Sequence, residues 1–265
     1  MTLEINIRDQ VVSQLQSTEP NPAQLNNALR HLSKWRSVLI QNTILKHHGT
    51  VVMQGPLKGL DFLQNSAEGC HIAKILGCYE QPLQNHIQLA ITIPYEIILN
   101  IGCAEGYYAV GMALQMPATK VLAFDLNPKA QEVCVELAQK NGVSDRVNVG
   151  GLFRPEDFAT YSKQKTLVFC DIEGGEKELL NPKFASSLIG MDIIVESHEC
   201  LLPGITQELV DRFKDSHDIE VINDNGQRNL INEPSWFNNL AHLDQLLATW
   251  EWRSGPTPWL VMKAR

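Results

Sequence analysis

Residues 98–115 read ILNIGCAEGYYAVGMALQ: an apolar strand, a turn bounded by glycines, and the opening of an apolar helix. The turn is Gly102-Cys103-Ala104-Glu105-Gly106. Glycines at its ends let the backbone approach a ligand closely and take dihedrals denied to other residues, while the helix start offers unpaired N–H groups. Ligands of open α/β sheets bind at the carboxyl ends of the strands, so this turn favours an anionic or carboxylate-bearing group. Its spacing departs from the dinucleotide fingerprint: Ala104 falls where a middle glycine belongs, and no third glycine is in phase. A pyrophosphate cradle is therefore disfavoured.

From Tyr95 onward, short apolar runs alternate with helical segments, which argues for a mostly parallel sheet covered on both faces. The expected strands are 97–101, 120–125, 146–149, 166–171, 192–196, 219–223 and 258–263, with a helix after each of the first five. The second strand, KVLAFD, ends in Asp125, whose carboxylate suits the two hydroxyls of a ribose. Glycine turn and acidic strand end together make a nucleoside site.

Upstream, Asn21-Pro22-Ala23-Gln24 has an N-cap residue, a proline at the first helical position and a glutamine completing a capping box. Leu25, Ala28, Leu29, Leu32, Trp35 and Leu39 then form an apolar stripe, and Gly49 closes a helix predicted over 22–48. A shorter helix is expected within 6–16. The run TVVMQGPLKGLDFL, broken at Gly55-Pro56 and Gly59, reads as two short strands and a turn, and a further helix is expected over 80–90. A boundary near Pro94 divides a helical and hairpin extension, 1–93, from the core, 94–265. The extension is expected to cap the crevice or to mediate homodimerisation.

Composition sets the outer bounds. With 265 residues, 44% apolar and 20% charged, the chain has the make-up of an ordinary globular protein. The start MTLEINIRDQ lacks a basic region leading into an apolar run, so a cytoplasmic protein with no membrane partner is expected. Six scattered cysteines without a C-x-x-C pair argue against structural zinc. A net charge of −8 opposes broad phosphate-backbone binding, so no nucleic-acid partner is expected. Arg30, Lys34, Arg36, Lys46, His47 and His48 form the one local basic cluster, read as a solvated helix face.

ILNIGCAEG resembles the first motif of the class I S-adenosylmethionine-dependent methyltransferases, and VLAFDLNP resembles their second. The resemblance implies an α/β, Rossmann-like, doubly wound seven-stranded sheet and S-adenosyl-L-methionine as cofactor. It further implies cofactor contacts from Asn100, Gly102, Cys103, Ala104, Glu105, Gly106, Asp125 and Leu126. Asn100 stands where the family usually has an acid and Ala104 where it usually has glycine, which implies an altered loop or weaker cofactor binding.

The fourth strand runs into Asp171-Ile172-Glu173-Gly174-Gly175-Glu176. FCDIEGGEKELL is similar to the D-x-E-G-x-E segment of FkbM-family methyltransferases, which implies O-methylation of a natural product or sugar hydroxyl. QGPLKGLDF, LGCYEQPL and RSGPTPWLVM also look like pieces of related proteins. Methyl transfer to a hydroxyl requires an aligned acceptor and is helped by a base. Asp171 is the first candidate and Glu173 the second; the alternative for Glu173 and Glu176 is that of carboxylates set at a helix N-terminus. The fifth strand adds Glu196, His198 and Glu199, with Glu196 and His198 on one side. With Asp171 they form either an acid/base cluster with a catalytic His198 or an oxygen-rich metal site; no metal is assigned. Tyr107 and Tyr108 either touch ligand or fill the core, Trp250, Trp252 and Trp259 are read as core, and Arg253 pairs with an anionic acceptor or a surface acid. The rival readings are a nicotinamide-dependent oxidoreductase and a non-catalytic cofactor-binding scaffold.

Overall fold

The computed structural model describes residues 3–16, 21–64, 66, 69–231, 233–253 and 255–265. Two helices come first: α1 (Leu3–Leu15) lies along α2 (Pro22–His48), whose start carries the expected reciprocal capping box between Asn21 and Gln24. The short α3 (His71–Leu76) and α4 (Gln84–Thr92) lead into the core. There β1 (Ile97–Ile101), α5 (Tyr107–Gln115), β2 (Lys120–Phe124), α6 (Pro128–Lys140), β3 (Val147–Gly150) and β4 (Thr166–Cys170) follow in turn. The chain ends with α7 (Glu176–Leu179), β5 (Asp192–Glu196), α8 (Ile205–Phe213), β6 (His217–Ile222), α9 (Ser235–Asn238), α10 (His242–Ala248) and β7 (Trp259–Ala264).

The sheet has the order β3-β2-β1-β4-β5-β7-β6, parallel except for β7, which runs antiparallel to β5 and β6. This is the doubly wound, seven-stranded class I methyltransferase arrangement. β1 lies where the order reverses, bonded to β2 on one side and β4 on the other, with Ile101 opposite both Phe124 and Cys170. That register brings the residues after three strand ends, Gly102, Asp125 and Asp171, out side by side at the crevice.

Alternation along β1 sends Ile98 to one face and Ile97, Leu99 and Ile101 to the other, into two apolar clusters. The first cluster joins Ile98, Val110 and Ala123 to Ile40, Ile44, Leu57, Phe62 and Ile75, so residues on both sides of Pro94 share one core. The second packs Leu99, Val168 and Val195 against Phe158, Leu209 and Phe213.

Four local expectations change. Residues 50–62 fold back antiparallel, but with a single bridge, Val51 to Asp61, in place of a two-stranded hairpin. Val52, Leu57, Leu60 and Phe62 all turn into the core, and Gly55 and Gly59 take positive φ, so the segment curls instead of extending. The helix expected over 80–90 begins as a 3₁₀ turn at Gln81–Leu83, where Pro82 withholds an N–H, and becomes α4. The connections after β3 and β4 are reduced to 3₁₀ turns and the four-residue α7. On α2 the buried residues are Ala28, Ser37, Ile40 and Ile44, whereas Leu25 and Leu29 remain 60% and 63% exposed. The apolar stripe read from sequence is therefore only partly used against the core.

Candidate active site

The glycine turn is fixed from both neighbouring strands. Gly102 and Cys103 donate their N–H groups to the carbonyl of Phe124 at 2.8 and 2.9 Å, and Asp171 donates to the carbonyl of Ile101 at 2.9 Å. Gly102 has φ +80°, and a Cβ there would lie 1.6 Å from the carbonyl oxygen of Asp171. Gly106, at φ +90°, leaves only 2.7 Å between such a Cβ and the Cys134 sulfur. Ala104 itself takes φ 46°, the left-handed region that a glycine enters at less cost. Its N–H is held by Asp125 Oδ2 at 2.9 Å, while Oδ1 accepts from Asn127 N at 2.8 Å. Asp125 thus clamps the turn as well as ending β2.

Two adjoining cavities meet at this turn, sharing Gly102, Ala104, Asp171 and Glu173 in their walls. The larger, about 520 Å³, is walled by Asp125 and by the apolar Leu126, Leu152, Phe153 and Ile172. The other, about 370 Å³, is polar and reaches Asn100, Cys103, Glu105, Glu196 and His198. Gly106 lines neither cavity and packs on α6.

The structure brings Asp171, Glu173 and His198 together. His198 Nδ1 lies 2.8 Å from Glu176 Oε1, and its Nε2 lies 3.5 Å from Asp171, 3.4 Å from Glu173 and 3.8 Å from Glu196. Burial opposes charging of this imidazole, but the Glu176 hydrogen bond and the charges of Glu196, Glu176 and Glu173 outweigh it, so its pKa is raised. Glu176 is fully buried; burial acts against its charge, yet the His198 bond and nearby backbone N–H groups hold its pKa below the ordinary value. Asp171 moves the other way. Removal from water, then the charges of Glu196, Glu80 and Glu173, push its carboxyl well above the usual range. Glu173 stands at φ 52° with its side chain 76% exposed, at the rim of both cavities. Asp171, Glu196 and His198 each offer a ligand atom within 4.8 Å of the others, a spacing that suits either shared protons or one cation. Glu199 turns away and accepts from Gly204 and Thr206 at the start of α8.

Arg253 lines the polar cavity, and the acids it pairs with are mostly buried instead of lying at the surface. It is held among Glu80 at 3.0 Å, Glu251 at 3.3 Å, Asp224 at 3.4 Å and, closer still, Glu196. Arg228 binds Glu251 and Asp224 at 2.5 Å each from the far side. Burial, then repulsion from Glu196, raises the pKa of Glu80 to about 8. Sequence reasoning missed this network, together with Lys74, Cys70 and Tyr79 in the cavity wall. Its signal was present in LGCYEQPL, which holds Tyr79 and Glu80, and in RSGPTPWLVM, which holds Arg253. Tyr107 is buried and Tyr108 is half-buried against the same core, and both line the polar cavity, with the Tyr108 hydroxyl donating to Glu80. Trp259 is core, whereas Trp252 borders the cavity beneath Lys34, whose ammonium lies 4.6 Å from its ring centre.

Comparison with known proteins bears on part of this chain. A family model described as O-methyltransferase matches residues 85–160. The ribosomal protein L11 methyltransferase of Acinetobacter baylyi is 32% identical over 120 residues, covering 44% of this chain and 36% of that protein. Its counterpart in Photobacterium profundum is 35% identical over 89 residues, covering 34% and 29%. The chain thus spans about a third of the length of the curated relatives it matches. Among solved structures, cofactor-bound Rv0187 from MTB has a TM-score of 0.48 at 16% identity, covering 94% of this chain and 99% of that one. The O-methyltransferase from Bacillus cereus in complex with SAH has a TM-score of 0.41 at 12% identity, covering 99% and 90%.

Proposed function

We propose that this chain is an S-adenosylmethionine-dependent methyltransferase acting on a hydroxyl of a small molecule, a natural product or sugar. The observation that carries the reading is the clamped turn Gly102–Gly106, set between an apolar cavity and a polar one that ends in acid/base groups. The cofactor fits the residues present. The apolar cavity beside Asp125 and Leu126 suits a nucleoside, the Gly102 cradle has no room for a side chain, and Asn100 Oδ1 is a buried acceptor without a partner among the described residues. Cys103, Ala104 and Glu105 complete the wall on the polar side. When bound, the cofactor supplies an electrophilic methyl group on a sulfonium.

The chain's own residues orient the acceptor and receive its proton. His198 Nε2, with Glu176 fixing Nδ1, is the proton-accepting atom, and Asp171 and Glu173 flank it. The FkbM-like D-x-E-G-x-E segment supplies three of the four groups, which supports a hydroxyl acceptor. The inward engagement of the basic cluster supports a partner other than nucleic acid: Arg36 pairs with Asp244 at 2.6 Å, and Arg30 donates to the Trp252 carbonyl at 3.2 Å. Neither the family match nor the curated relatives support the nicotinamide reading. No helix among the described residues is long and apolar enough to cross a membrane.

For the extension we propose a role at the cavity mouth through Lys34, with the exposed Leu25 and Leu29 available to a second copy. Because Ile40 and Ile44 belong to the core, the double replacement Leu25→Gln and Leu29→Gln tests dimerisation without opening it.

The test of the main reading is calorimetric titration with S-adenosylmethionine, S-adenosylhomocysteine and NAD, on the native chain and on Asp125→Ala. Saturable binding of the sulfur nucleosides, weakened in the variant, is expected; binding of NAD alone would overturn the reading.

A further inference from the structure

Two unmet hydrogen-bonding capacities face the polar cavity beside the glycine turn, and they have opposite sense. Asn100, at the end of β1, is 1% exposed; its Nδ2 is directed at the Phe169 carbonyl, 3.5 Å away, which leaves Oδ1 as an acceptor without a partner among the described residues. A buried amide oxygen left in that state costs stability unless a ligand supplies the donor. Lys74 is 5% exposed, with Nζ 2.8 Å from Glu105 Oε1. Around the rest of the ammonium lie the rings of Tyr79, Phe62 and Tyr107, at 5.1, 5.6 and 5.7 Å to their centres. Ring faces attract a cation but do not replace the acceptors its other N–H groups require.

Lys74 is held in place by its own backbone. The residue before α3, Cys70, is left-handed at φ 54°, and Gly77 closes the helix at φ +71°, where a Cβ would fall 2.1 Å from the Gln54 carbonyl oxygen. Helix α3 is thereby seated on the 50–62 fold-back, and its lysine enters the cavity from outside the strand-end motifs.

We propose that Asn100 and Lys74 together read an α-amino acid: Oδ1 receives its ammonium, and the Lys74 ammonium binds its carboxylate. This rests on the cofactor reading above, since the ligand end in question is the methionine portion of the cofactor. Glu105, paired with Lys74, keeps the subsite near neutrality when empty, so a zwitterion adds no net charge. The residues before Pro94 then form part of the cofactor site.

The experiment compares S-adenosylhomocysteine with 5′-methylthioadenosine, which lacks the amino-acid end, on the native chain, Lys74→Met, and the charge-balanced pair Lys74→Met with Glu105→Gln. Loss of a charge-assisted bond should weaken S-adenosylhomocysteine about ten- to a hundredfold. Affinity for 5′-methylthioadenosine should stay within about twofold, a change small against that loss. Equal weakening of both ligands would make Lys74 a structural counter-ion of Glu105 and overturn the proposal, as would unchanged S-adenosylhomocysteine binding. A native chain that bound neither nucleoside would remove the cofactor reading along with it. Decarboxylated S-adenosylhomocysteine provides a check that needs no variant: it should bind the native chain at least about tenfold more weakly than the parent, and equal affinity would overturn the assignment.

Discussion

Glu176 Oε1 accepts from His198 Nδ1 at 2.8 Å while also receiving the N–H groups of Ile172 and Gly174 at 3.2 and 3.3 Å. One carboxylate oxygen therefore fixes both the loop after β4 and the tautomer of the histidine after β5, leaving Nε2 directed at the cavity acids. A histidine held in this way has a raised pKa and accepts a proton only above it. The rate should rise with pH along a limb that lies above the ordinary histidine value of 6.5. In Glu176→Gln the limb should shift to lower pH, because the bond and charge that raise it are weakened. A pH–rate profile of kcat for both proteins measures this, and an unmoved limb would separate His198 from the proton transfer.

Asp171 is the neighbour whose removal should cost turnover and little else. Burial and the charges of Glu196, Glu80 and Glu173 raise its pKa, so its carboxyl holds a proton more tightly than an ordinary aspartate, and Asp171→Asn keeps the side-chain shape while removing that carboxyl as a proton donor or acceptor. A decrease in kcat of about a hundredfold or more is expected, with S-adenosylhomocysteine affinity nearly unchanged. Activity equal to that of the native chain would leave Asp171 without a role in proton transfer.

The positions of the core strands were legible from the sequence because most of them are short apolar runs, and three end beside a residue of distinct chemistry. Gly102, Asp125 and Asp171 mark three adjacent strand ends, and the alternation in VESH placed Glu196 and His198 together. What was not legible comes from tertiary contact. Nothing local in LGCYEQPL shows that Glu80 reaches Arg253, 173 positions away. Lys74 lies in a six-residue helix too short to display periodicity. The α2 stripe misled because helical period identifies an apolar face without identifying which side the core will cover; Ser37 is buried there while Leu29 is not.

Two glycines allow backbone conformation to be separated from space. Gly174 has φ +99° with nothing within 4 Å of the place a Cβ would take, whereas Gly102 has φ +80° and a Cβ position 1.6 Å from the Asp171 carbonyl oxygen. Gly174→Ala should cost only the backbone strain, about 1–3 kcal/mol. Gly102→Ala should cost more and should also reduce cofactor affinity, since the turn must move off Asp171. Denaturant midpoints of the two variants check the ordering, and equal losses would show that the turn relaxes freely.

Glu80 makes a prediction about stability. Its pKa of about 8 in the fold stands above the ordinary 4.5, so the folded state binds the proton more tightly than the unfolded chain does. For a group shifted in this direction the stabilising contribution is complete below 4.5, declines as pH rises, and is lost by the time pH passes 8. Glu80→Gln keeps a neutral, hydrogen-bonding side chain beside Tyr108 and Arg253 at every pH. The melting temperature of the native chain should therefore fall relative to that of Glu80→Gln between pH 4.5 and 8 and run parallel to it above. Thermal melts at half-unit pH intervals measure the difference. A constant offset across that window would mean that Glu80 is ionised throughout, with Arg253 outweighing both its burial and the charge of Glu196.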